Sequence, residues 1–230
     1  MSESWPEPAD LALVRLLQLC SGSLPIGAFS FSQGIEWAVA AGWIRDEASL
    51  GGWLSDLAAT NLAYVEIPLL ARLYRAVEVG DAQALDQGCQ WLLANRETSE
   101  LRDEERQRGR ALATLLVDLD LPRAREWRPS LASCQSAGFA LASVGWGIPL
   151  PQAALGLAWG WLENLILAGV KLIPLGQTAG QRLLRDLGPV LVGAVQRGLT
   201  LTDAEVGASA PALAIASSRH PQQYCRLFRS

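Results

Sequence analysis

The chain has 230 residues, half of them hydrophobic and 18% charged, with a formal net charge of −4. That length supports a real apolar core, and the composition excludes a disordered or fibrous chain. The acidic balance excludes a basic field for nucleic acid, and a single histidine, His220, excludes a histidine-rich metal cluster.

Alanine and leucine dominate, and unbranched side chains lose little rotamer freedom in a helix. Asp10 is expected to cap a first helix to about Cys20, with Leu13, Leu16, Leu17 and Cys20 on its apolar face. A Gly/Pro/Ser loop follows from Ser21 to Ala28. Ser32 then caps a short helix carrying Ile35, Trp37 and Val39, ended near Gly42. Asp46 starts another, with Leu50, Leu54, Leu57, Ala58 and Leu62 at helical spacing, and Pro68 kinks or restarts it before Leu69 to Val77. Asp81 opens a helix striped by Leu85, Cys89, Leu92 and Leu93.

The segment from Arg96 to Leu119 begins highly charged. Glu104 and Arg108 stand at i,i+4, which predicts a solvated, salt-paired face that also takes in Glu105. A two-proline loop spans Asp120 to Ser130, and helices are predicted over Ser130–Val144, Gln152–Val170, Thr178–Gly198 and Asp203–Ser218. Pro129 to Leu162 carries no charge, but Pro149 and Pro151 divide it, and neither half reaches the roughly 20-residue apolar span of a membrane helix. Trp37, Trp43 and Trp53, and later Trp146, Trp159 and Trp161, read as core packing. No strand pattern appears. The expectation is one all-α domain of about eight to ten helices, with residues 1–9 and about 219–230 as flexible tails. Cys20, Cys89, Cys134 and Cys225 form no CxxC pair and read as reduced thiols of a cytoplasmic protein.

Motifs for chemistry are missing. No base accompanies a nucleophile except His220 in a predicted tail, no GxxxxGK[ST] phosphate loop occurs, and no strand precedes the glycines near Gly27. What stands out is special loops and a tail rich in arginine and aromatic residues, the types that anchor interfaces.

Four blocks carry a resemblance: "LLQLCSGSLPIGAFSFSQGIEWAVAAGWI" (Leu16 to Ile44), "RETSELRDEERQRG" (Arg96 to Gly109), "AGVKLIPLGQTAGQRLL" (Ala168 to Leu184) and "SSRHPQQYCRLFRS" (Ser217 to Ser230). Together, in register over nearly the whole chain, they resemble the urease accessory protein UreF family. Pro221 departs from the family's usual Glu, Cys225 from its usual Ser, and Ala28 from a frequent Gly.

The resemblance implies a non-enzymatic, all-α, homodimeric adaptor without cofactor or resident metal. It would bind UreD (also called UreH) and the GTPase UreG, and couple GTP hydrolysis to nickel delivery into apo-urease. It implies a UreG side at Lys171, Pro174, Gly176, Gln177 and Gln181. It implies a UreD/UreH side on the tail: Arg219, His220, Tyr224, Arg226, Leu227, Phe228, Arg229 and Ser230. The N-terminal signature is Pro25, Gly27, Ser30, Gln33, Gly34 and Glu36. Of these, Ser30, Gln33 and Glu36 are expected to face a partner, while Phe29, Phe31 and Trp37 pack the loop onto the core. Lys171 at a helix C-terminus also suits the macrodipole alone. A nickel carrier binding through Cys225 and His220, and an enzyme with an unrecognised site, stay open beside this reading.

Overall fold

The computed structural model describes residues 9–230. The predicted N-terminal tail therefore lies outside the described residues, except for Ala9, which opens the first helix. The helices are α1 (Ala9–Cys20), α2 (Ile35–Ala40), α3 (Glu47–Leu57), α4 (Ile67–Val79), α5 (Ala82–Ala94) and α6 (Ser99–Asp118). They continue as α7 (Arg128–Leu131), α8 (Gln135–Gly145), α9 (Leu150–Leu172), α10 (Gln177–Thr200) and α11 (Pro211–Arg219). Among the described residues no strand occurs, and the chain is a single all-α domain.

Local chemistry sets most boundaries. Asp46 and Asp81 cap α3 and α5 by accepting the backbone N–H groups of Ser49 and Ala84. Asp10 instead lies inside the first turn of α1, where its charge suits the helix dipole. Ser32 is not the N-cap of α2: Gly34 is, and the Ser32 hydroxyl accepts the N–H of Glu36. Pro68 does not break the chain. A π-helical stretch, Ala58–Glu66, joins α3 to α4, the Ile67 N–H reaches back to Leu62 O, and Pro68 falls in the first turn of α4. The predicted helix over Ser130–Val144 is broken at Ala132–Cys134 into α7 and α8. The one over Asp203–Ser218 is a 3-10 turn (Asp203–Glu205) followed by α11.

The centre is α9, which packs against α1, α2, α3, α4, α8 and α10. Its 23 residues carry only Glu163 and Lys171 as charges, so it is long and apolar enough to cross a membrane. That corrects the shorter span read from the prolines: Pro149 is the N-cap and Pro151 sits in the first turn, where a missing N–H costs nothing. Half of its most apolar stretch is buried among the other helices. Gly156 makes the close approach of α1 possible, because a Cβ there would lie 2.5 Å from Leu16 Cδ1 and 2.7 Å from Cys20 Sγ.

The apolar stripe of α1 does not face the core as its spacing predicts. Ala12 and Leu19 are buried, while Leu13, Val14 and Leu17 are more than half exposed. With Leu155 and Trp159 of α9 and Val192 of α10, Leu13 and Leu17 line an open apolar groove. Trp159 and Trp43 are thus partly exposed rather than core residues, although Trp43 does stack edge-on against Trp37, 5.0 Å between ring centroids.

Candidate functional site

The C-terminal segment is docked, which corrects the expectation of a flexible tail. After α11 the chain makes a 3-10 turn at His220–Gln222 and runs back over α2 and α6. His220 is fully buried and Phe228 nearly so. The clasp is built on Glu36. One of its carboxylate oxygens accepts the Leu227 N–H at 2.6 Å; the other accepts the Phe228 N–H at 2.9 Å and lies 3.0 Å from His220 Nε2. His220 Nδ1 lies 3.0 Å from Glu100 of α6, which also pairs with Arg226 at 3.3 Å. Burial holds the Glu100 carboxyl above its ordinary range, with His220 and Arg226 offsetting only part of that effect.

A second set of contacts fixes the last residues. The main-chain oxygen of Ser230 accepts the Ser32 N–H at 2.8 Å and the Ser32 hydroxyl at 2.6 Å. The Ser230 hydroxyl lies 3.2 Å from Glu104, and the Arg229 N–H donates to Ser30 O at 2.8 Å. Gln33, at a φ of 49°, donates to Glu104 at 2.9 Å and accepts from the Trp161 indole N–H at 3.1 Å. Such a left-handed glutamine is costly unless its surroundings over-determine it, as they do here. The next residue, Gly34, has a φ of 78°, and a Cβ there would meet Ala216 of α11 at 2.9 Å. Glycine is therefore what lets α11 reach α2 and present His220 to Glu36.

Beneath the clasp lies an ion network that the sequence reading placed in solvent. Glu104 and Glu105 are buried. Arg108 pairs with Glu104 at 2.8 Å, and Arg96 pairs with both Glu66 and Glu105. Glu105 also accepts the Gln135 N–H at 2.8 Å, which ties α6 to the start of α8. Burial pushes Glu105 upward, but the Arg96 and Arg108 charges outweigh it and hold its carboxyl below the usual range. The signal was present: Leu101, Glu105, Arg108 and Leu112 stand at i, i+4, i+7 and i+11, the register of an inward stripe.

The signature residues divide accordingly. Gln33 and Glu36 point inward to the clasp instead of toward a partner, and Phe31 is buried as expected. Phe29 is two-thirds exposed rather than packed on the core. Pro25 is exposed, and Gly27 (φ 70°) sets the turn into a 3-10 segment, Ala28–Ser30. Of the tail, Tyr224 is fully exposed and Leu227 largely so, and Arg219, Arg226 and Arg229 are exposed as well. Lys171, Pro174, Gly176, Gln177 and Gln181 form an exposed corner between α9 and α10. That corner adjoins the tail, because Lys171 Nζ sits 5.8 Å from the Phe228 ring centroid, a cation–π contact. The structure thus brings together two groups that stand apart in the chain. Ser32, Glu100, Glu104, Glu66 and Arg96 are the residues of this assembly that sequence reasoning missed.

Sequence comparison gives the class of protein to which this fold belongs: the urease accessory proteins. The UreF family model matches residues 44–188. The urease accessory protein UreF of Pseudomonas putida strain W619 is 55% identical over 222 residues, covering 96% of this chain and 99% of its own. That of Alcanivorax borkumensis is 51% identical, covering 95% and 98%. That of Citrobacter koseri is 46% identical, covering 94% and 97%. The chain belongs to the UreF family, and its role lies in urease maturation.

Two outcomes test the clasp. Glu36→Gln removes the charge from three contacts at once and is expected to cost about 3 kcal/mol in urea unfolding. Trypsin is expected to cut at Arg226 earlier, with the helical circular dichroism retained. The second outcome concerns pH. Glu105 titrates lower folded than unfolded, so its contribution is full above the ordinary glutamate range of about 4.3 and is lost as pH falls through and below it. Urea midpoints measured against pH should fall on that acid limb, and Glu105→Gln should flatten it.

Proposed function

We propose that this chain is an adaptor that bridges UreD/UreH and the GTPase UreG on apo-urease, coupling GTP hydrolysis to nickel delivery in the cytoplasm. The observation that carries this reading is the continuity of the tail with the α9–α10 corner through Lys171 and Phe228. An adaptor needs two partner surfaces held in fixed relation, and this contact supports such a relation. Tyr224 and Leu227 supply exposed apolar anchors for UreD/UreH, on a segment that also exposes three arginines. Lys171, Pro174, Gly176, Gln177 and Gln181 supply the face for UreG. Gly176 fits this role, since a Cβ there meets nothing within 4 Å and its φ of −73° demands no glycine. Lysine offers a point charge rather than a fork, which favours docking or gating of UreG over stabilising its transition state.

The homodimer in this reading uses the groove of Leu13, Leu17, Leu155, Trp159 and Val192, because a contiguous exposed patch of this kind marks an association surface. Leu17→Glu should convert dimer to monomer in light scattering without lowering the melting temperature. Pull-downs with purified UreD and UreG separate the other two surfaces. Tyr224→Ala should weaken UreD capture at least tenfold, which corresponds to about 1.4 kcal/mol. Lys171→Ala should lower UreG capture and urease activation with UreD capture intact. Unchanged activation by both variants would overturn the bridging role.

A further inference from the structure

Cys89 of α5 and Cys134, the N-cap of α8, are 45 residues apart, yet their sulfurs lie 3.3 Å from each other. Both side chains are buried. The contact is not part of the clasp or of either partner surface. A disulfide needs sulfurs about 2.0 Å apart, so closure asks for a movement of little more than 1 Å. Cys134 donates its S–H to the Cys89 sulfur, and Cys89 Sγ lies 3.6 Å from Ser130 O. Asp86, Ser130 and Ser133, close to the pair in sequence, are each half-buried, and the Ser130 hydroxyl lies 3.5 Å from Asp86.

We propose that Cys89 and Cys134 form a peroxide-driven, thiol-reversible disulfide that locks α5 to the turn between α7 and α8. The two sulfurs differ in role. The hydrogen bond from Cys134 holds the Cys89 thiol below its ordinary range, and giving that bond pushes Cys134 well above it. Cys89, whose sulfur accepts that hydrogen bond, is the attacking sulfur. It takes one peroxide oxygen as the O–O bond breaks, becoming a sulfenic acid, while the other oxygen leaves as hydroxide and takes up the proton lost from the Cys89 thiol to become water. The Cys134 sulfur then attacks that sulfur, the S–O bond breaks, and hydroxide leaves with the Cys134 proton as a second water. Two thiols have lost two hydrogens and two electrons to one peroxide.

The lock has a structural address. A Cβ at Gly109 of α6 would lie 2.9–3.1 Å from backbone atoms of Ala132 and Cys134, so α6 rests directly on the turn that carries Cys134. The neighbouring Gln135 N–H is bound by Glu105 of the same helix. Oxidation therefore acts on the platform that holds Glu100 and Glu104 under the tail.

The test uses the full chain with hydrogen peroxide at low excess, followed by denaturation, thiol titration and peptide mass mapping. The four free cysteines should fall to two titratable thiols, with one cross-linked peptide pair joining Cys89 to Cys134, and dithiothreitol should restore all four. Cys20→Ser and Cys225→Ser should leave the cross-link in place, and Cys89→Ser should abolish it. Two results would overturn the proposal. One is oxidation confined to the exposed Cys225. The other is sulfinic or sulfonic acid at Cys89 with Cys134 still free. Because the mapping is read on the unmutated chain, a variant that fails to fold does not decide the outcome.

Discussion

A buried carboxylate has to satisfy its lone pairs from inside the protein, and Glu36 satisfies its own with groups more than 180 residues away. The rest of the site follows from that need. Gly34 turns α2 so that Glu36 points inward, and its missing Cβ admits α11. His220, one residue beyond α11, delivers a ring between Glu36 and Glu100. The segment beyond it then runs across both helices, and Ser32 and Glu104 hold Ser230. Removing the Glu36 carboxylate would take the acceptor from His220 Nε2 and from the backbone N–H groups of Leu227 and Phe228 at once, which is costly where those groups are buried.

Much of the helical order was legible from local signals, because caps and glycines act within a few residues. Asp46 and Asp81 mark true helix starts, and Gly80 in a left-handed conformation ends α4. The site was legible only as a set of names. His220 and Glu36 each looked polar and solvated, since nothing within helical range of either residue announces the other. The charges of α6 misled for a related reason: spacing says which residues share a face, and not whether that face meets water or Arg96. The stripe on α1 failed in the opposite sense. Leu13 and Leu17 have the periodicity of a core helix, and periodicity does not distinguish a chain's own interior from a surface left for another molecule.

The docked tail changes the energetics of recognition. A segment that orders on binding spends part of its interaction energy on lost conformational freedom. Here Tyr224 and Leu227 stand on a backbone already tied at Glu36, Ser32 and Ser30. A partner that covers them meets a prepared surface. The tie is made of charge and hydrogen bonds, with Phe228 the main apolar contribution, so its geometry is specific while its buried apolar area is small. Lys171 over Phe228 continues that surface to the corner between α9 and α10.

The long sequence separation of the clasp also has a consequence in time. Synthesis delivers α2 and α6 well before the residues that close over them, and contacts of such separation form late in folding. Until His220 and the segment after it arrive, the inward carboxylates of Glu36 and Glu100 lack their partners, and the surface bearing Tyr224 and Leu227 does not exist. In the adaptor reading proposed above, a copy whose clasp has not closed also lacks the surface offered to a partner, so folding of this segment and readiness to assemble would be one event.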